Sequence, residues 1–302
     1  MEKNSKVLLT GGRGFLGKYI HDELSKLHGV DTLGRLNSTW NVDLSSNTPV
    51  FEGAYDLVVH SAGKAHSIPV TGTERQEFFD VNVKGTQNLL VGLERMERIP
   101  QAFVFISSVA VYGLETGENV KEEHPLLASD PYGKSKILAE QLITDWCSEK
   151  GVKCSILRLP LIAGENAPGN LQAMIKSIKG GYYFNIGGGR ARKSMVLAQD
   201  VAGIIMRVAE VGGTYNLTDG YHPTFRELSA TISAQLNRRV PVRNMPMLVA
   251  QLLGKIGDLM GRRAPLDSLK IKKITADLTF NDDKARKLLN WKPTAVVNVR
   301  LL

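Results

Sequence analysis

A tyrosine and a lysine stand four residues apart in DPYGKSKILAEQL, at positions 130–142. Pro131 precedes Tyr132 and a helical pattern comes after it, so we expect Tyr132 and Lys136 on one face at the start of a helix. A nearby cation favours the phenolate, so the spacing predicts that Lys136 lowers the pKa of Tyr132 from its reference of about 10. Such a tyrosine can donate or accept a proton near neutral pH. An exposed Tyr and Lys on a solvated helix would show the same spacing.

A glycine loop comes after the first apolar stretch, in VLLTGGRGFLGKYI. Glycines at such a turn let the backbone approach a pyrophosphate, which then lies at the N-terminus of the next helix among free N–H groups. The sequence therefore predicts a dinucleotide site here, although the spacing is GxxGxxG rather than the GxGxxG of many dehydrogenases. The predicted cofactor contacts of this loop are Gly11, Arg13, Gly14, Phe15, Leu16 and Gly17.

The first 160 residues alternate short apolar stretches with helical patterns. KVLLT, AFVFISS and KCSILRL are mostly apolar, which is typical of strands buried on both faces. This alternation predicts an α/β fold with a Rossmann-type, doubly wound parallel sheet. Ligands of such sheets bind beyond the carboxyl ends of the strands, where the glycine loop falls.

After Pro160 the pattern loosens, and glycine and proline cluster in AGENAPGN and NIGGGRARKS. We expect a dinucleotide-binding domain over 1–160 and a smaller C-terminal α/β lobe over 161–302 that mainly binds substrate, with elements near 196–211 returning to the main sheet. A helix is predicted to begin at Thr224, whose T-x-x-E spacing to Glu227 makes a capping box. Further helices are predicted over 14–28, 74–95, 246–260 and 265–275.

The composition narrows the class of protein. The 302 residues are 43% hydrophobic, as in a globular protein with a substantial core. Cys147 and Cys154 suggest neither a metal site nor a disulfide framework, and no signal peptide precedes the first strand, so a cytoplasmic location is expected. No apolar run is long enough for stable membrane insertion. The net charge of +8 is dispersed, which favours an anionic small molecule over nucleic acid as the partner.

Ordered motifs along nearly the whole chain resemble the extended short-chain dehydrogenase/reductase superfamily, in particular its NAD-dependent epimerase/dehydratase family of nucleotide-sugar enzymes. The motifs are TGGRGFLG at the start, VDL at 42–44, VVHSAG at 58–63, VNVKGTQNLL at 81–90, FISSVAVYG at 105–113, YGKSK at 132–136 and LRL at 157–159. DDKARKLLNWKP near the end is similar to the terminal signature of the family. The resemblance implies that Tyr132 is the acid/base, that Lys136 holds the nicotinamide ribose and tunes the tyrosine, and that Ser108 hydrogen-bonds the reacting oxygen.

The same resemblance implies further contacts with cofactor and substrate. The remaining cofactor contacts are Asp43 and Leu44 against the adenine, Ala62 and Gly63 with their neighbour Lys64, and Asn82 behind the cofactor. The substrate contacts are Asn170 and Leu171 at a diphosphate, Arg192 and Lys193 in place of the family's phosphate-facing arginine, His66, and Ser108. Asn82 would also serve as a plain buried hydrogen-bonding residue, and Lys64 and His66 as residues that cap a helix.

The two residues after Ser108 indicate the type of reaction. A 4,6-dehydratase of this family commonly carries an acidic pair there, whereas this chain has Val109 and Ala110. The segment at 245–270 resembles bacterial reductases that act on nucleotide-linked 4-keto-6-deoxy hexoses in polysaccharide synthesis, so we expect C4 reduction. A 4-epimerase with tightly bound NAD and a non-catalytic NADP-sensing protein are the alternatives. The segment at 245–260, with Arg262 and Arg263 beyond it, also fits a helix on a membrane surface.

The end of the second predicted strand indicates which nicotinamide cofactor is used. An acidic residue there binds the adenosine ribose in NAD-preferring proteins of this fold, but this chain has Gly34 and then Arg35. Asp31 stands too early, and Arg13 could reach the same phosphate as Arg35. NADP(H) is therefore favoured, with NAD(H) as the alternative. The family resemblance also makes a homodimer a candidate assembly.

Overall fold

The computed structural model describes residues 4–65, 67–236, 242–260 and 266–302. The strands are β1 Lys6–Thr10, β2 Gly29–Gly34, β3 Trp40–Asn41, β4 Leu57–His60, β5 Ala102–Ser108, β6 Gly117–Val120, β7 Lys153–Leu159, β8 Leu161–Ala163, β9 Phe184–Ile186, β10 Met195–Leu197, β11 Gly213–Asn216, β12 Arg243–Met245 and β13 Leu278–Phe280. The α-helices are α1 Phe15–Leu24, α2 Gly72–Phe79, α3 Gly85–Glu94, α4 Pro131–Lys150, α5 Asn170–Gly180, α6 Ala198–Val211, α7 Phe225–Gln235, α8 Met247–Met260, α9 Ser268–Thr275 and α10 Asp283–Leu289.

The central sheet has seven parallel strands in the order β11-β7-β5-β4-β1-β2-β3. Successive side chains of a strand point to opposite faces, and here both faces are covered. Val7 and Leu9 of β1 pack with residues of α1 and α6, whereas Leu8 packs in a second apolar cluster with residues of α3 and α4. Burial on both faces explains why the strands lack an apolar–polar alternation. The predicted α/β, doubly wound Rossmann-type fold is confirmed.

Outside the main sheet there are shorter pairs of parallel strands, and all of their strands except β6 come from the later half of the chain, together with several helices. β8 pairs with β10, β9 with β12 and β6 with β13, outside the main sheet. Leu171 of α5 and Leu228 of α7 belong to a separate apolar cluster there. Of the elements near 196–211, α6 packs on the main sheet, whereas the strand at Val196 pairs with β8. The seventh strand of the main sheet is β11, which comes after α6.

Several predicted helix bounds differ from the structure. The helix predicted over 14–28 ends at Leu24, and the one predicted over 74–95 is divided by a wider helical turn, Asp80–Lys84, between α2 and α3. The capping box at Thr224 is confirmed, because its hydroxyl accepts from Glu227 N and the Glu227 carboxylate accepts from Thr224 N. α9 begins at Ser268, and Pro265, where that helix was predicted to begin, lies outside the described residues.

Candidate active site

A cleft of about 470 Å³ opens at the carboxyl ends of the central strands. It is lined by residues of the glycine loop and α1, by residues just beyond β4 and β5, and by the start of α4. Several of the predicted site residues share its wall, namely Gly14, Phe15, Leu16, Gly17, Gly63, Lys64, Ser108, Tyr132 and Lys136. The fold thus brings the predicted cofactor loop and the predicted catalytic residues to one cavity.

The glycine loop leaves no room for side chains. Gly11 has φ +70°, and a Cβ added there would lie 2.7 Å from Ala62 N. A Cβ at Gly17 would lie 2.0 Å from Gly11 O. Gly14 begins α1 with no side-chain cap, so the first N–H groups of α1 are available to an anion at the cleft. These features fit the pyrophosphate of a dinucleotide.

Helix α4 brings Tyr132 and Lys136 to the cleft. Asp130 caps the helix by accepting from the N–H groups of Tyr132 and Gly133, both at 3.1 Å, and Pro131 occupies the first turn. Lys136 is buried, and its Nζ donates to Ile106 O at 2.8 Å and lies 4.5 Å from the centre of the Phe105 ring. The lysine is thereby held between α4 and β5, beneath the tyrosine that precedes it by one turn.

The predicted electrostatic effect of Lys136 on Tyr132 is wrong. The pKa of Tyr132 is raised rather than lowered, because burial disfavours the phenolate more than the hydrogen bond with Ser108 favours it. Burial also lowers the pKa of Lys136 to about 8, although the charge of Glu140 opposes that shift. Tyr132 is therefore a protonated phenol at neutral pH, and Lys136 titrates at a lower pH than Tyr132.

Asn82 joins the loop after β4 to α4. Its Oδ1 accepts from Lys64 N at 2.7 Å, and its Nδ2 donates to Lys64 O and to Ser135 Oγ at 3.1 and 2.9 Å. Gly63 lies against this amide, since an added Cβ there would be 3.0 Å from Asn82 Oδ1 and 3.3 Å from Lys136 Nζ. Asn82 thus positions the small residues that the sequence places beside the cofactor.

Sequence reasoning assigned no role to His60, which ends β4. Its Nδ1 lies 2.6 Å from Thr10 Oγ1 and its Nε2 lies 2.9 Å from Thr86 Oγ1. Burial, with the charge of Lys136, lowers the pKa of His60 to about 3, so the ring is neutral. Thr86 donates to Asn82 O, so we assign the ring proton to Nε2, and Thr10 then donates to Nδ1 while accepting from Ala62 N. His60 fixes the loop that carries Ala62. The polar residue at the end of the apolar stretch VVH was the available signal.

A buried ion pair beneath the catalytic residues was also missed. Arg158 of β7 donates to both carboxylate oxygens of Glu140, with a closest distance of 2.8 Å, and Glu140 also accepts from Ser107 Oγ. The same guanidinium donates to Tyr112 Oη at 3.2 Å and to Glu122 O at 3.0 Å. Glu140 lies one turn beyond Lys136 on α4. An acid on the catalytic helix and an arginine inside an apolar strand were the signals in the sequence.

The adenine end of the predicted cofactor site is formed by the loops after β2 and β3. β2 ends at Gly34 as predicted, and Arg35 is exposed beyond it. Arg13 donates to Leu36 O at 3.3 Å, which brings the glycine loop to the segment that carries Arg35. Asp31 is engaged elsewhere, because it accepts from Tyr55 Oη at 2.8 Å.

Asp43 and Leu44, the pair predicted beside the adenine, both have partners within the protein. Asp43 accepts from Ser45 N and Oγ at 3.0 and 2.7 Å, so its carboxylate caps the turn that comes after it. Leu44 is buried in the apolar cluster of the sheet, and its carbonyl accepts from Asn88 Nδ2 at 2.7 Å. Their contact with an adenine stays a prediction.

The predicted diphosphate contacts do not line the cleft in the described part of the chain. Asn170 is exposed at the first position of α5, whereas Leu171 is buried in the apolar cluster of the later half. Arg192 is exposed and donates to Tyr221 O and His222 O, both at 3.4 Å. Lys193 donates to Lys273 O at 3.0 Å, at the end of α9. His66 lies outside the described residues.

Known proteins resemble this chain both in sequence and in fold. The sequence model of the NAD-dependent epimerase/dehydratase family matches residues 7–218. The chain belongs to this family. An epimerase/dehydratase relative of Escherichia coli O157:H7, an N-acetyl-α-D-glucosaminyl-diphospho-ditrans,octacis-undecaprenol 4-epimerase, is 29% identical over 299 residues, covering 93% of this chain and 88% of the relative. The GDP-6-deoxy-D-mannose reductase of Pseudomonas aeruginosa is 27% identical over 243 residues, covering 74% and 77%.

A solved structure shares the epimerase/dehydratase fold over nearly the whole length. RMD from Pseudomonas aeruginosa, complexed with NADPH, superposes with a TM-score of 0.74 at 21% identity, covering 97% of this chain and 96% of that one. The chain is thus an NAD(P)-dependent enzyme of the extended short-chain dehydrogenase/reductase type, in a family of nucleotide-sugar epimerases and reductases. The family resemblance drawn from the motifs is confirmed. No helix of the described residues is both long and apolar enough to cross a membrane.

Proposed function

We propose that this enzyme reduces the C4 carbonyl of a nucleotide-diphosphate-linked 4-keto hexose, preferably a 6-deoxy sugar, and that Tyr132 donates the proton to the new hydroxyl. The observation that carries the proposal is the placement of Ser108, Tyr132 and Lys136 in the cleft that also holds the glycine loop. In this arrangement one end of the cleft takes the cofactor diphosphate and the other takes the reacting sugar carbon.

The cofactor is held by residues at both ends of the cleft. The free N–H groups at the start of α1 take the pyrophosphate, and Lys136 takes the nicotinamide ribose. When bound, a reduced nicotinamide would supply hydride to the sugar carbon. Ser108 and Tyr132 both line the cleft, so both hydroxyls are available to the oxygen of that carbon.

The protonation state of Tyr132 favours reduction. Because burial raises its pKa, the phenol carries its proton at neutral pH and is ready to donate it to an alkoxide that forms at C4. Ser108 can donate a second hydrogen bond to the same oxygen, which stabilises its developing charge.

The cleft wall argues against dehydration. Val109 and Ala110 stand directly after Ser108 in a short helical turn, Val109–Tyr112, and both line the cleft. Among the described residues of its wall there is no carboxylate. Elimination of water from the sugar needs a general acid or base beside the leaving hydroxyl. Reduction at C4 needs no such carboxylate, because the hydroxyls of Ser108 and Tyr132 can serve the C4 oxygen.

We propose NADP(H) rather than NAD(H) as the cofactor. Gly34 ends β2 without a carboxylate that would repel a 2′-phosphate, and the exposed Arg35 is next in the chain. Asp31 is bonded to Tyr55, so it does not supply the missing acid. Arg13, tethered at Leu36 O, adds a second cation to the same region. NADP(H) also suits a net reduction, because reducing equivalents are consumed at each turnover.

We further propose that residues 161–302 mainly bind the substrate, with its diphosphate near Asn170, Arg192 and Lys193. Arg192 is exposed and has only long bonds to two carbonyls, which leaves it free to turn toward an anion. The group attached to the sugar diphosphate also has to be tested, because the Escherichia coli relative is named for a sugar diphosphate on undecaprenol rather than on a nucleoside. The substrate panel must contain both kinds of carrier.

A 4-epimerase is the second candidate, favoured by the sequence similarity to the undecaprenol-diphosphate sugar epimerase. It would oxidise and reduce the same carbon and would retain NAD between the two steps. The non-catalytic NADP-sensing alternative is set aside, because the chain belongs to a family of enzymes and has the serine, the tyrosine and the lysine.

The two candidate reactions are separated by one set of assays. The purified enzyme is offered UDP-, dTDP- and GDP-linked 4-keto-6-deoxy hexoses with NADPH, and UDP-sugars and polyprenyl-diphosphate sugars without added cofactor. We expect NADPH consumption and a C4 hydroxyl in the NMR spectrum of the product. Interconversion of sugars without added cofactor would replace the proposal with epimerisation, and NADPH binding without turnover of any of these sugars would contradict the proposed substrate class.

A further inference from the structure

Helix α8 leaves an apolar face uncovered. Seven of its side chains are exposed and apolar, namely Leu248, Val249, Leu252, Leu253, Ile256, Leu259 and Met260. Leu248 and Leu259, near the two ends of the helix, are 81% and 90% exposed. At 3.6 residues per turn the seven lie within an arc of about 140°, so they form one continuous stripe, which we call the α8 apolar face.

The opposite side of α8 contains its buried residues and packs against α9. Its buried residues are the small ones, Ala250, Gly254 and Gly257. A Cβ added at Gly254 would lie 2.5 Å from Ile271 Cδ1, which shows how closely α8 approaches α9. Small residues on the inner side and large apolar residues on the outer side are the reverse of an ordinary amphipathic surface helix.

A polar contact fixes the rotation of α8. Asp258 accepts from Ser268 N and Oγ at 3.0 and 2.6 Å, at the start of α9. Rolling the α8 apolar face inward would break both bonds and bring leucine side chains where only glycine fits. The face therefore stays outward within this lobe, and an exposed stripe of this extent indicates a binding surface.

Exposed cations stand on α8 itself and on the two elements next to it, β12 and α9. Within the described residues Arg243, Lys255 and Lys272 make no ion pair, and each is exposed. The nearby carboxylates are turned to α9, because Asp258 bonds Ser268 and Asp267 accepts from Lys270 N at 2.7 Å. The chain as a whole carries a net charge of +8.

We infer that the α8 apolar face docks on an anionic lipid bilayer, with α8 lying in the plane of the interface. The helix has 14 residues and is about 21 Å long, shorter than the roughly 20 residues that a span requires. Large apolar side chains on one side and cations beside them are the features of helices that lie at a membrane surface.

A second copy of the chain suits this surface less well. In a twofold dimer the same patch faces itself, so the cations beside α8 would meet their own copies. Like charges brought together across an interface oppose association, whereas anionic headgroups match them. Docking of α8 determines where the enzyme is located, and the inference does not depend on which sugar is the substrate.

The test is co-flotation of the full-length protein with vesicles of phosphatidylcholine alone and of phosphatidylcholine with an equal amount of phosphatidylglycerol. The variant carries Leu248→Ser, Leu252→Ser and Leu259→Ser. The matched control carries the same change at exposed leucines elsewhere, Leu27→Ser, Leu138→Ser and Leu288→Ser. We expect the wild type and the control to float with anionic vesicles, and the variant to bind at least about tenfold more weakly. Binding should also weaken as salt is raised.

The fold of each variant is checked by its melting temperature and its affinity for NADPH, neither of which the exposed substitutions should change. The inference would be overturned if the variant and the wild type floated to the same extent. It would also be overturned if the wild type did not float with anionic vesicles. Stronger binding to neutral than to anionic vesicles would overturn the electrostatic part. A dimer that the variant alone fails to form, without lipid binding by the wild type, would assign the face to self-association instead.

Discussion

Replacing Glu140 with glutamine should change both the stability and the pH dependence of the enzyme. Both partners of the Glu140–Arg158 pair are nearly inaccessible, with side-chain exposures of 5% and 8%. The substitution keeps the volume but removes the charge that three guanidinium contacts and Ser107 Oγ share. Arg158 then has only neutral acceptors among the partners it has here, namely the glutamine amide oxygen, Tyr112 Oη and Glu122 O.

The stability loss comes from the cost of an unpaired buried charge. Removing one partner of a buried ion pair typically costs about 3 kcal/mol or more. For a chain of this length that corresponds to a melting temperature lower by about 5 °C, which calorimetry measures directly. Replacing both partners by apolar residues would not test the same quantity, because no charge would then be left unpaired.

The pH dependence comes from Lys136. Its pKa is lowered to about 8 by burial, and the charge of Glu140 opposes that shift. Reduction requires the Lys136 ammonium and the Tyr132 phenol, and both lose their protons as the pH rises. The rate of reduction by the wild type should therefore fall as the pH rises through about 8. In Glu140→Gln the fall should begin at a lower pH, since the opposing charge is gone.

Glu149→Gln is the matched control, because Glu149 lies on the same helix and makes an exposed ion pair with Lys150 at 2.7 Å. Exposed pairs contribute less than about 1 kcal/mol, so this variant should melt close to the wild type with an unchanged pH profile. The reasoning is refuted if the two variants melt at the same temperature. An unshifted pH profile in Glu140→Gln would show that Lys136 is not the group that titrates.

Three further variants test the remaining assignments. Tyr132→Phe should lower kcat by at least about 100-fold while cofactor affinity is kept, as measured by steady-state kinetics and NADPH titration. Arg35→Ala should remove most of a preference for NADPH over NADH of about tenfold, or roughly 1.4 kcal/mol, and equal affinities in the wild type would contradict the NADP assignment. Changing Arg192 and Lys193 together to alanine should raise KM for the sugar substrate much more than for the cofactor, whereas an unchanged KM would place the diphosphate elsewhere.

The parts of the fold that sequence predicted are those set by local patterns. The glycine loop and the buried strands predicted β1, β5 and β7 at their observed bounds, because a strand covered on both faces leaves a continuous apolar run. The division between α2 and α3 was missed, since residues 74–95 keep a helical pattern through the wider turn at Asp80–Lys84. The pairing of β6 with β13 joins segments far apart in the chain, which no local pattern indicates.

Of the site, the sequence predicted the residues that belong to recognisable motifs. Tyr132, Lys136 and Ser108 belong to motifs with fixed spacing, so the sequence alone was enough to expect them together. The direction of the Tyr132 pKa depends on burial, which the one-turn spacing to Lys136 does not reveal. The roles of His60, Glu140 and Arg158 depend on contacts between separate elements, and they became visible only once β4, α4 and β7 were placed side by side.

The most direct test of the proposed reaction tracks the transferred hydrogen. NADPH deuterated at C4 of the nicotinamide, on the face that the enzyme uses, is mixed with a nucleotide-linked 4-keto-6-deoxy hexose, and the product is examined by NMR and mass spectrometry. The proposal predicts one deuterium at the sugar C4 for each NADPH oxidised, and almost none in the same time with Tyr132→Phe. A product formed without loss of NADPH, or with deuterium at another carbon, would contradict C4 reduction.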